Sequence, residues 1–125
     1  MKIKELLDAV DQLKPNQYTY AQKIVWLKAL DGMIWNKIKL FTGELSDREP
    51  DPETYTEELM ETTELLLTDP YTEIYTWYVF AMIDVNNGET LRYENDMVMY
   101  NTVLNDFLSA YTRDSIAKTN FIKVN

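Results

Sequence analysis

A chain of 125 residues that is 46% hydrophobic and 13% aromatic is long enough for one core and too apolar to stay disordered. It has no cysteine and no histidine, which excludes disulfides, cysteine-bound metals and imidazole catalysis, and leaves an enzyme only carboxylate, tyrosine, lysine or arginine chemistry. The net charge of −9 is local: eleven acids and one base, Arg48, fall between Glu44 and Glu73, and the other ten acids and eleven bases nearly cancel.

With only 3 glycines and 4 prolines, the regular turn signals of a β-sandwich are missing. The expected fold class is all-α: a small bundle of about four helices in a single domain over residues 1–125, with an acidic central loop at 44–69 and a flexible C-terminal tail at 114–125. The first helix is expected over Ile3–Leu13, where Ile3, Leu6, Leu7, Val10 and Leu13 share one face, and Pro15 stops it. The second opens at Thr19, which forms a capping box with Gln22, and ends at Thr42-Gly43. Its stripe of Tyr20, Ile24, Leu27, Ile34, Ile38 and Phe41 is widened by Trp26, Leu30 and Trp35 and contains Asp31. Gly32 costs a helix about 1 kcal/mol relative to alanine, and a close helix crossing would explain it.

Between the second and third helices, Glu49-Pro50-Asp51-Pro52 reads as an exposed loop and Thr54 as the cap of a short helix reaching about Thr62. Leu65-Leu66-Leu67 needs a cover, from the body or from another subunit. The third helix is expected to start with Asp69 as N-cap and Pro70 at its first position, and to run to about Val85. Asn86-Asn87-Gly88 then favours a helix end. The fourth runs from Glu89 or Thr90 to about Thr112 on a stripe of Tyr93, Met97, Tyr100, Leu104, Phe107 and Tyr111. The two form a hairpin or, since the phase runs on through Thr90, one long helix kinked at Gly88; the hairpin is favoured.

No window approaches the ~18 apolar residues of a membrane span, and no signal peptide follows Met1-Lys2-Ile3-Lys4-Glu5, so a cytoplasmic protein is expected. Asp84, Glu89, Glu94 and Asp96 gather around the presumed turn, where two carboxylates would suit Mg²⁺; but Asp84 and Glu89 are five apart and do not stack on one helical face. Asp47–Glu53 lacks calcium-loop spacing. No phosphate loop or basic stripe is present, so no catalytic, cofactor or metal residues are assigned, no enzyme is expected, and neither is sequence-specific nucleic-acid binding. Trp77, Tyr78 and Phe80 circle much of the third helix, and apolarity all round predicts a second packing surface. The candidates for a partner or oligomer surface are Trp26, Trp35, Tyr71, Tyr75, Trp77, Tyr78, Phe121 and Ile122.

Two blocks together carry a family resemblance. One is Asp11-Gln-Leu-Lys-Pro15-Asn16-Gln-Tyr18 with Lys23 and Trp26-Leu27-Lys-Ala-Leu30-Asp31-Gly32-Met-Ile34. The other is Asp69-Pro70-Tyr71-Thr-Glu-Ile-Tyr75, Ile83-Asp84-Val-Asn-Asn87-Gly88-Glu89, Arg92-Tyr93, Asn95 and Tyr100-Asn101, closing with Tyr111 and Arg113. The chain resembles small structural proteins of prophages and tailed phages of Gram-positive bacteria, similar to head-tail connector (adaptor) subunits. The resemblance covers most of the chain outside residues 35–68 and the last twelve. It implies a virion assembly protein that forms a homo-oligomeric ring and docks on a portal, a neighbouring connector or a tail-completion protein, made in the host cytoplasm and carried in the virion. The segment Glu44–Glu73 would then face the lumen or rim of the ring, where its charge repels DNA phosphates. Two other classes compete: a monomeric acidic inhibitor or DNA mimic, which needs acids spaced along a surface, and a carboxylate-metal nuclease, which needs Asp84 and Glu89 to converge.

Overall fold

Four α-helices occur among the described residues: α1 (Ile3–Leu13), α2 (Tyr20–Ile38), α3 (Glu73–Asn86) and α4 (Thr90–Val124). The structure, a computed structural model, describes the backbone of residues 1–124 and the side chains of residues 1–117. The all-α expectation holds.

Helix α1 buries Ile3, Leu6, Leu7 and Val10 on its predicted face, but Leu13, beside the terminus, is 70% exposed. Its first N–H groups, which lack intrahelical partners, are satisfied from the acidic segment: Ile3 N–H donates to the Thr63 carbonyl (3.1 Å) and Lys4 N–H to that of Met60 (3.0 Å). Helix α2 begins with the predicted capping box, Gln22 N–H donating to Thr19 Oγ1 (3.2 Å) and Thr19 N–H to Gln22 Oε1 (2.9 Å). It buries Ile24, Leu27, Leu30, Ile34 and Ile38. The close crossing expected at Gly32 is absent, since no atom lies within 4 Å of where a Cβ would stand. Gly32 is an exposed helical position where glycine only adds backbone freedom to the unfolded chain, so Gly32→Ala is expected to raise stability by about 1 kcal/mol, read as a higher urea midpoint.

The segment expected as an acidic loop is a folded layer. Two short 3₁₀ turns, Pro52–Thr54 and Glu57–Leu59, replace the single short helix, and Thr56 in place of Thr54 caps the second by accepting from Leu59 N–H (3.3 Å). Leu45, Tyr55, Met60, Leu65, Leu66 and Leu67 are buried, so the three leucines are covered by the body itself. All eleven acids from Glu44 to Glu73 are exposed. Arg48, the one base of the segment, donates from its guanidinium to the Leu65 carbonyl (2.9 Å) and ties the two ends of the layer together.

Helix α3 starts later than expected. The Asp69–Pro70 peptide is cis, and Tyr71 N–H donates to the Thr68 carbonyl (2.9 Å), so Pro70 closes a tight turn and Thr72 takes the N-cap position. Much of the apolarity of α3 is used within the chain, although Trp77, Tyr78 and Phe80 are only half-buried. This helix is central, touching α1, α2 and α4, and buries Ile74, Tyr75, Val79, Ala81 and Ile83. At its C-terminus Gly88 takes φ +75°, Gly88 N–H donates to the Val85 carbonyl (3.2 Å) and Glu89 N–H to that of Asp84 (2.8 Å). That pair of bonds is a Schellman motif, and it ends the helix.

The chain therefore turns back as a hairpin and does not continue as one kinked helix. Tyr78 meets Tyr100 (ring centroids 5.3 Å apart) and Tyr71 meets Phe107 (5.0 Å), the pairing of antiparallel helices. Helix α4 continues to Val124, past the end expected near Thr112, because no proline or glycine interrupts it and Ser115, buried, accepts from Thr42 N–H (3.0 Å). The segment expected as a tail is thus helical in backbone through Val124.

Candidate functional site

Three polar networks and one groove stand out among the described residues. The first is centred on Asp31, which is fully buried in α2. Tyr55 donates its hydroxyl to Asp31 Oδ2 (2.5 Å), Leu66 N–H donates to the same oxygen (3.0 Å), and Tyr75 donates to Oδ1 (2.5 Å). The Tyr75 hydroxyl in turn accepts from Leu67 N–H (2.8 Å). Burial pushes the Asp31 carboxyl above the ordinary carboxylate range, and the three donors and the nearby Arg48 charge pull it back. Asp31 thus joins α2, α3 and the acidic layer at one buried point. Tyr75, expected as a partner-surface residue, is fully buried here, and that expectation is corrected.

The second network closes the α1–α2 corner. The Lys23 ammonium, buried, donates to Asp11 Oδ1 (2.6 Å) and lies 5.6 Å from the centre of the Tyr20 ring; Asn16 donates its amide to Asp11 (2.9 Å) and to the Lys14 carbonyl (3.0 Å). The third sits at the α3–α4 turn. Lys14 donates to Asp84 Oδ2 (2.6 Å), and the buried Asp96 carboxyl on α4 comes up against Asp84. Asn87 accepts from the Tyr18 hydroxyl (2.7 Å) and the Gln17 amide (2.8 Å), so the second and third networks meet at one end of the bundle.

Burial, then the hydrogen bond and charge of Asp84, push the Asp96 carboxyl up to about 7. Burial works against the charge on Asp84 too, but the bond to Asp96 and the Lys14 ammonium hold it below the ordinary range. The two carboxyls titrate as a pair, and the Lys14 ammonium beside Asp84 balances its negative charge. Glu89, the residue expected to join Asp84, is exposed, and among the described residues no group of three or more acidic side chains is placed to hold a metal ion.

The other positions singled out in the sequence are scattered. Pro15, Pro70, Gly88, Glu89, Arg92, Asn95, Asn101 and Arg113 are exposed, and Tyr93 is half-buried. Trp26 packs edge-on against Tyr18 (5.4 Å) and Trp77 against Phe80 (5.7 Å); Tyr71 and Tyr78 pack on α4, and Trp35 is half-buried against the core. Phe121 and Ile122 lie outside the described side chains. The groove, which sequence reasoning missed, lies between Gly43-Glu44-Leu45, the Asp69–Pro70 turn and α4, and is floored by Tyr71, Phe107 and Tyr111. A Cβ on Gly43 would stand 2.5 Å from Tyr111 Cζ, so glycine here sets how close the ring comes. A glycine just past a helix end gave no signal beyond an ordinary stop.

No described helix is long and apolar enough to cross a membrane. Compared with protein-family models, with curated proteins and with solved structures, the chain matches none of them.

Proposed function

We propose that this chain is a phage virion assembly protein of the head-tail connector type, acting by oligomerisation and by docking other structural proteins, and not an enzyme. Its partners are a portal, a neighbouring connector or a tail-completion protein, met in the cytoplasm of a bacterial host and kept in the virion. The observation that supports this best is the acidic layer, in which ten exposed acids, joined by Glu73 at the start of α3, lie over a buried apolar inner side. Charges held on a folded layer keep a fixed pattern, which selects partners and sets encounter rates more than it adds affinity. At the rim or lumen of a ring the same charge repels the phosphates of passing DNA.

The resemblance in the two sequence blocks gives the reading its biological setting. Several of the block residues, among them Asp11, Asn16, Lys23, Asp31, Asp84 and Gly88, fix the corners and the core of the fold. They account for the shape of the subunit and leave the acidic layer to its contacts. Light scattering of the purified chain, alone and mixed with a candidate portal protein, tests the reading. A complex heavier than the portal alone is expected. A monomer that ignores the portal and its neighbouring junction proteins at micromolar concentration contradicts it.

A further inference from the structure

We infer that the groove between Gly43 and α4 is a seat for a basic side chain, lysine or arginine, projecting from a segment of a partner protein; this deepens the docking reading above and rests on it. The cavity measures about 500 Å³. Its floor is aromatic: Phe107 stands edge-on to Tyr71 at 5.0 Å and tilted to Tyr111 at 5.7 Å. Its lining carries three exposed carboxylates, Glu44, Asp69 and Asp114, and no described lining residue is basic. None of the three forms an ion pair with a described base. A cation seated over aromatic faces with carboxylates at the rim meets both the quadrupole of the rings and a complementary charge.

The geometry is also held in place before any partner arrives. Leu45 N–H donates to the Tyr111 hydroxyl (3.3 Å), and Gly43 leaves the space that the ring occupies. The Asp69 carboxylate accepts from Thr72 Oγ1 (2.7 Å), which orients it on its turn. A long, apolar partner segment fits poorly, because carboxylates line the walls and would lose water without a partner.

The probe is a fluorescein-labelled Gly-Ser peptide carrying three arginines, with its citrulline counterpart as control, read by fluorescence anisotropy and by amide chemical shifts of the full chain. The arginine peptide is expected to bind and to shift the amides of Gly43, Leu45 and Tyr111, while the citrulline peptide binds at least tenfold more weakly. The double variant Glu44→Gln/Asp114→Asn is expected to weaken binding about tenfold. Glu57→Gln/Glu58→Gln, which removes the same charge from another part of the layer, should weaken it no more than about twofold. Equal loss in both double variants, shifts confined to residues away from the groove, or no binding overturns the inference. The two readings fail separately. A portal complex unaffected by Glu44→Gln/Asp114→Asn overturns the groove alone, whereas a peptide seated in the groove of a chain that binds no junction protein supports the groove and counts against the connector reading.

Discussion

Asp31→Ala is expected to remove about 3–5 kcal/mol of folding stability, since it strips the acceptor from three buried donors at once. Domains of this size are stable by about 5–15 kcal/mol, so the variant should lose a large part of its stability margin. The loss comes mostly from what remains: two buried tyrosine hydroxyls and the Leu66 N–H, left without their acceptor. Tyr75→Phe should cost about 2–3 kcal/mol, because it removes one donor to Asp31 and leaves Leu67 N–H without its acceptor. Tyr55→Phe removes a donor to Asp31 and takes an acceptor from no other group, so about 1–2 kcal/mol is expected. Urea midpoints for the three variants should fall in that order. A Tyr55→Phe effect as large as that of Asp31→Ala would mean that Asp31 is not the point at which the acidic layer is fastened.

The second large effect is a pH dependence carried by Asp84 and Asp96. A carboxyl raised to about 7 when folded binds its proton more tightly than the unfolded chain does, so its contribution is complete below the unfolded value near 3.8 and is lost as pH rises through 7. Asp84 works oppositely: its lowered pKa contributes above the ordinary carboxylate range and is lost in acid. Between pH 5 and pH 8 the Asp96 contribution therefore dominates, and the pair alone should cost about 2 kcal/mol over that interval. Asp96→Asn keeps a donor facing Asp84 and cannot ionise, so its stability should be nearly level over the same interval. Lys14→Met removes the cation that balances the pair and should steepen the loss. Urea unfolding at pH 5, 6, 7 and 8 checks all three chains. Parallel curves for wild type and Asp96→Asn would locate the pH dependence elsewhere.

How much the sequence disclosed varied with how local the signal was. The capping box at Thr19, the face of α1, the stripe of α4 and the helix end at Gly88 all rest on neighbours within a few residues, and they appear as expected apart from Leu13, which is exposed, and Tyr93, which is half-buried. Asp69-Pro70 misled because the same dipeptide serves as a helix start with a trans bond and as a tight turn with a cis one. The acidic segment misled in another way. Its apolar residues, Leu45, Tyr55, Met60 and Leu65 to Leu67, follow neither the helical nor the strand period, so periodicity could not show that they fold inward together.

For the networks, the limit was distance along the chain. Asp31 meets residues 24, 35 and 44 positions away, which no spacing rule connects. Asp84 and Asp96 were within reach of reasoning, since an antiparallel hairpin that turns near residue 90 places them at the same level, as it does Tyr78 and Tyr100. The groove depends on Gly43 lying against Tyr111, a contact between separate elements that only the folded chain supplies.

One comparison tests most directly whether the acidic layer is a contact surface carried by an independent scaffold. Glu53, Glu57, Glu58 and Glu61 are exposed and make no ion pair with a described base, so all four can be changed to Gln without touching the Asp31 network. Complex formation with the portal or its neighbour at the junction should then be measured by light scattering at low and at physiological salt, beside the urea midpoint. The expected result is a midpoint unchanged or slightly higher and a complex that is weakened at least tenfold. A neutralised chain that assembles as well as the wild type at both salt concentrations would contradict the account.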